Sequence, residues 1–143
     1  MTRAFQVTLD CSDPARVGDF WAEVLGYVVE PPPEGFASWP EALQAFGVPE
    51  EKWDSAYAIV DPEGRHPRMF FQRVPEGKQA KNRVHLDVRV GDRTRPPEEN
   101  AAAINAEVER LEAFGARQVG WREDFGSRFV VMQDVEGNEF CLT

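Results

Sequence analysis

The chain has 143 residues, and 16 basic against 25 acidic side chains give it a net charge of −9. That length suits one domain with a sizeable core, and the acidic balance argues against nucleic acid as the main partner, because phosphate binding needs a basic face. No apolar run reaches the roughly 18 residues of a membrane helix, and the first residues lead into a strand without an apolar leader. A cytoplasmic protein without membrane partners is the expectation. Cys11 and Cys141 are too few for a disulfide framework and are expected as thiols.

Phe5 to Cys11 alternates as a strand should, with Phe5, Val7 and Leu9 on one face and Gln6, Thr8 and Asp10 on the other. Asp13-Pro14 supplies a helix cap followed by proline at the first helical position. Val17, Phe20, Trp21, Val24 and Leu25 then form one apolar helix face, which Gly26 ends. Residues 30–53 interrupt the pattern. Pro31-Pro32-Pro33 starts an extended connector, a short helix is predicted over Pro40–Phe46, and Phe36, Trp39, Leu43, Phe46 and Trp53 make the stretch rich in large apolar groups. It reads either as a flap or dimer contact, or as a lid over a site.

Strands are predicted over Ser55–Val60 and Arg68–Val74, with residues 75–82 as a connector. Val84–Val88 opens a second round. Pro96-Pro97 precedes a helix striped by Ala101, Ile104, Val108, Leu111 and Phe114, and Gly115 stops it. Gln118–Arg122, Arg128–Gln133 and Asn138–Leu142 are the remaining strands. Asp61-Pro62-Glu63-Gly64 in the first half is echoed by Asp134-Val135-Glu136-Gly137 in the second. The order is βαβββ, twice, an α+β arrangement with sheets packed on one side by helices. One domain spans 1–143, with a first module at 4–75 carrying the 30–53 insertion and a second at 82–143. Arg65, His66, Arg68 and Arg73 cluster locally, as do Lys78, Lys81 and Arg83. Both groups are expected as solvated surface.

The run Gln6 to Pro14, then Phe20-Trp21 and Leu25-Gly26, resembles the opening of the vicinal oxygen chelate superfamily, which includes glyoxalase I, bleomycin-resistance proteins and extradiol dioxygenases. Val84-His85-Leu86-Asp87-Val88 and residues 134–140 resemble its second-module counterparts. Phe20-Trp21 and the segment from Phe71 to His85 resemble a glyoxalase-like branch. The resemblance implies two βαβββ modules forming a curved mixed sheet around a cleft, a homodimer, and a small-molecule ligand. The polar strand faces then become site candidates: Gln6, Thr8 and Asp10 from the first opening strand, and His85, Asp87 and Arg89 from the second.

Metal-dependent members hold a cation that polarises two neighbouring substrate oxygens. Carried over from that resemblance, the ligand positions fall on Gln6, on Gln72 or its neighbour Phe71, on His85 and on Cys141. Both expected carboxylates are missing, so magnesium or manganese, which want anionic oxygen ligands, suit the set poorly. Only His66 and His85 exist, so an iron-binding histidine–histidine–carboxylate triad is incomplete and extradiol cleavage is not expected. Zinc could take Gln6, His85 and a Cys141 thiolate, but the expected state has no cofactor, with Cys141 as a small side chain on a cleft wall. A cysteine at the last-strand position also displaces the glutamate base of glyoxalase chemistry. Gln6, Thr8, Gln72, His85, Asp87, Trp39 and Trp53 are the expected ligand-binding residues, with Trp39, Trp53 and Trp121 able to stack on a flat molecule. Asp10 and Asp87 are expected to pair with nearby arginines, such as Arg73 or Arg89. The leading reading is a metal-free small-molecule binder, against a zinc-using lyase or isomerase of the glyoxalase type. A protein-interaction module built on residues 30–53 is a third.

Overall fold

The computed structural model describes residues 1–92 and 94–143. It has two compact units, 1–77 and 78–143. Each is a four-stranded mixed sheet with one long helix, so the chain is α+β and built from two βαβββ modules.

In the first unit the strands are β1 (Val7–Cys11), β2 (Val28–Val29), β3 (Ala56–Val60) and β4 (Met69–Arg73), and the sheet order is β1-β4-β3-β2. β1 and β4 run parallel, with Thr8 beside Phe70 and Asp10 beside Gln72. Helix α1 (Pro14–Leu25) begins as its sequence requires: the Asp13 carboxylate accepts from the Arg16 N–H at 3.1 Å, and Gly26 closes it at φ 68°. It packs on β3 and β4, burying Val17, Phe20, Trp21 and Val24 with Ile59, Met69 and Phe71. The approach is close. A Cβ on Gly18 would lie 2.3 Å from the Tyr57 ring and 3.3 Å from Phe71, so only glycine lets helix and sheet meet there.

The predicted helix in the insertion is α2 (Trp39–Ala45), capped by Ser38 and followed by a 3-10 turn at Glu50–Lys52. The insertion is pinned by its own backbone. Trp39 Nε1 donates to the Glu30 carbonyl at 2.7 Å, Trp53 Nε1 donates to the Val48 carbonyl at 2.9 Å, and the rings of Phe36 and Phe46 meet edge to face.

The second unit contains β5 (Asp87–Val88), α3 (Pro97–Ala113), β6 (Arg117–Asp124), β7 (Ser127–Gln133) and β8 (Glu139–Leu142), in sheet order β5-β8-β7-β6. β5 and β8 pair in parallel, which sets Asp87 beside Cys141. Ile104, Val108 and Leu111 of α3 are buried, as are Val130, Met132, Phe140 and Leu142 of the sheet.

Both acidic turns are folded by the same device. The Asp61 carboxylate accepts from the N–H groups of Glu63, Arg65 and His66, and these bonds hold its carboxyl below the usual range. Asp134 accepts from the N–H groups of Glu136 and Asn138 and from the Asn138 amide. An aspartate that caps its own turn explains why this motif recurs in both halves.

Three sequence expectations need correction. Phe5 lies ahead of β1 and is 72% exposed, because the pairing of β1 with β4 begins only at Val7. Val84 to Leu86 precede the strand proper: β5 has two residues, although the Leu86 carbonyl still accepts from the Cys141 N–H. Phe114 also leaves the buried stripe of its helix. It follows the last turn, half exposed, with the Arg110 guanidinium over its ring.

Candidate functional site

The face of the first sheet opposite α1 carries alternate residues of β1 and β4, and its polar groups engage one another. Gln72 Nε2 donates to Asp10 Oδ1 at 2.7 Å, and Gln6 Nε2 donates to Thr8 Oγ1 at 3.4 Å. Arg68 donates to Gln6 Oε1 at 3.0 Å while forming a two-pronged pair with Glu30 at 2.6 and 2.7 Å. The Glu30 pair raises the guanidinium pKa further. Between the two candidates for the β4 position the burial decides: Phe71 is fully enclosed in the core, and Gln72 is exposed on the polar face. The basic cluster is spent on local pairs, Arg65 with Glu63, Arg68 with Glu30 and Arg73 with Asp54. Among the described residues Asp10 thus bonds to an amide, that of Gln72.

In the second unit the polar groups converge. His85 Nδ1 lies 3.0 Å from Asp87 Oδ1 and 3.9 Å from Cys141 Sγ. The candidate donor atoms of the three residues all lie within 4.8 Å of one another. Two pieces of local structure place them there. Strand alternation puts His85 and Asp87 on one face, and the parallel register brings Cys141 of β8 alongside Asp87. His85 and Asp87 are well exposed, whereas Cys141 is 6% exposed. Burial, with the Asp87 charge and hydrogen bond adding to it, pushes the Cys141 thiol up to about 11, against the opposing charge of Lys81. Two residues back along the same strand, Glu139 is held by the Asn82 N–H at 3.0 Å and by Lys78 at 3.1 Å. Burial opposes its ionisation, but these partners outweigh it and keep the carboxyl below the usual range.

Of the positions that sequence reasoning singled out, His85, Asp87 and Cys141 are brought together. Gln6, Thr8 and Gln72 sit on the first sheet's polar face, and Trp39 and Trp53 have their indole N–H groups bound to backbone. Trp121 carries the Arg128 guanidinium 5.0 Å above its ring. Sequence reasoning missed Arg68 as a partner of Gln6, since the two are far apart in the chain.

The donors at the four family-derived positions do not suit a hard divalent cation. They offer two amides, an imidazole and a thiol that favours its protonated form, and the Gln6 amide oxygen already accepts from a cation. Magnesium and manganese bind through anionic oxygens.

A pair of βαβββ modules, each with a helix on one sheet face and polar groups on the other, defines a protein of the glyoxalase/bleomycin-resistance/dioxygenase class of folds. The profile of the glyoxalase-like domain matches residues 6–143, and the chain belongs to that family. No curated protein matches the sequence. Solved structures share the fold at low identity. One is a glyoxalase/bleomycin resistance protein/dioxygenase family enzyme from Burkholderia phytofirmans PsJN (TM-score 0.61, 15% identity, covering 96% of this chain and 94% of that one). A mutant of the fosfomycin resistance protein FosX from Listeria monocytogenes, complexed with manganese(II) and a dihydroxypropylphosphonic acid, aligns with TM-score 0.62 and 12% identity over 99% of this chain and 90% of that one. A possible glyoxalase from Bacillus cereus aligns over 100% and 99%, with TM-score 0.58 and 10% identity. Among the described residues no helix is long and apolar enough to cross a membrane.

Proposed function

We propose that this glyoxalase-like protein binds a small organic molecule by hydrogen bonds from its polar sheet faces, and does not operate a four-ligand hard-metal centre. The observation that carries the reading is the state of Gln6: its amide oxygen accepts from Arg68, which Glu30 fixes in place. A hard cation at Gln6 would have to displace a guanidinium held by a two-pronged carboxylate pair, and it would gain only a neutral amide. Thr8, Asp10, Gln72, His85 and Asp87 meanwhile are exposed hydrogen-bonding groups on faces that no helix of their own unit covers. A ligand with several oxygen or nitrogen atoms suits such surfaces.

The test is native mass spectrometry of protein purified without added metal, followed by thermal-shift screening of polar small molecules. The reading expects co-purified or added ligand to raise the melting temperature without magnesium or manganese. A ligand at a hundred times its dissociation constant adds about 2.7 kcal/mol. Stoichiometric magnesium or manganese, lost in Gln6→Ala, would overturn it. The same spectra read the mass of the homodimer that the family resemblance implies.

A further inference from the structure

We infer that His85, Asp87 and Cys141 form a three-donor site for a borderline-soft divalent cation of the zinc class, built within the second unit alone. The donor set is one imidazole nitrogen, one carboxylate oxygen and one sulfur, a combination that zinc accepts and magnesium or calcium does not. Tetrahedral zinc with ordinary bond lengths sets its nitrogen and oxygen ligands about 3.4 Å apart, and its nitrogen and sulfur ligands about 3.6 Å apart. The corresponding separations are 3.0 Å from His85 Nδ1 to Asp87 Oδ1 and 3.9 Å from His85 Nδ1 to Cys141 Sγ. Shifts of a few tenths of an ångström bring these two separations to the tetrahedral values, and the Asp87 and Cys141 donors lie within 4.8 Å of each other. His85 and Asp87 are exposed, which leaves a path for the ion and at least one coordination position for water or a ligand atom.

Binding is a proton exchange. The Cys141 thiol loses its proton to solvent, and His85 presents the Nδ1 lone pair with its ring proton on Nε2. The cation then takes the position between nitrogen, carboxylate and sulfur. Asp87 supplies the anionic oxygen that the last-strand cysteine does not. Gln6 takes no part, since Arg68 holds its amide oxygen. The charge of Lys81 favours the Cys141 thiolate, against the burial that disfavours it. The site goes beyond the small-molecule reading and is tested without any organic ligand.

The test titrates the full chain with cobalt(II) and with zinc, reading the near-ultraviolet thiolate-to-cobalt charge-transfer band and competition by zinc. One equivalent, with the band present, is the expected result. Cys141→Ser abolishes the band while Cys11→Ser keeps it. Asp87→Asn and His85→Ala weaken binding by more than the roughly 10–100-fold that loss of a merely supporting residue costs. Gln6→Ala leaves affinity unchanged. A band that survives Cys141→Ser, or an affinity that falls in Gln6→Ala and not in Asp87→Asn, overturns the assignment. So does a wild-type chain that binds neither ion. Circular dichroism of each variant separates lost binding from lost fold, and a variant that does not fold is replaced by Asp87→Ser or Cys141→Ala.

Discussion

The two units share a topology and an acidic-turn device, yet their polar sheet faces behave differently. In the first, Gln6, Thr8, Asp10 and Gln72 satisfy one another or an arginine–glutamate pair. In the second, His85, Asp87 and Cys141 point donors at a common space. Both sheets use the same parallel pairing to do it: Asp10 lies beside Gln72, and Asp87 beside Cys141. The scaffold fixes where such side chains meet, and their chemistry decides whether they cancel or converge. An amide against a carboxylate closes a hydrogen bond. Asp87 bonds to both His85 and Cys141, but the imidazole and the thiol can give up those protons, and all three groups can then offer their lone pairs to one cation.

The difference can be probed from the first unit outward. The largest expected effect is Gly18→Ala. Its methyl group would meet the rigid Tyr57 ring at 2.3 Å, and such overpacking costs about 1–3 kcal/mol. Chemical denaturation checks it, and an unchanged midpoint would show that α1 can retreat from its sheet.

Arg68→Met should cost less, about 1 kcal/mol, because the lost bonds to Glu30 are charge-assisted but part-exposed. This substitution also frees Gln6. If the faces are independent in their chemistry, cobalt titration of the variant matches the wild type, and a strengthened or second binding event would break that separation.

Tyr57 gives the smallest effect. Burial first, then its bond to Asp19, pushes the phenol up to about 12 from an ordinary value of 10.0. A raised folded-state value means that the extra stability is complete below pH 10 and is lost as pH rises toward 12. Tyr57→Phe should flatten the pH dependence of the melting temperature in that window. An equally steep decline in the variant would place its source elsewhere.

Much of the fold was legible because local chemistry wrote it. Asp13-Pro14 and Gly26 bound α1 as read, and the paired acidic turns mark the hairpins in both halves. Val28–Val29 escaped because a two-residue exposed edge strand has no alternation to detect. The site was legible only as a roster. Alternation places His85 and Asp87 on one face, but their contact depends on side-chain conformations. The position of Cys141 beside them depends on the parallel register of β5 and β8. Asp87, expected as a ligand-binding group, becomes the carboxylate of the donor set by that long-range pairing. The capture of Gln6 by Arg68 likewise joins residues distant in sequence, which no local pattern records.

The parallel pairing of β5 with β8 has a consequence for assembly. The β6–β7 hairpin can zip from its own turn, but β5 is only two residues long and must wait for the far end of its unit to return. The three donors thus come together at the last seam of the second unit to close. A cation seated there would act as a clasp across that seam, holding shut the loop whose closure costs the second unit most entropy.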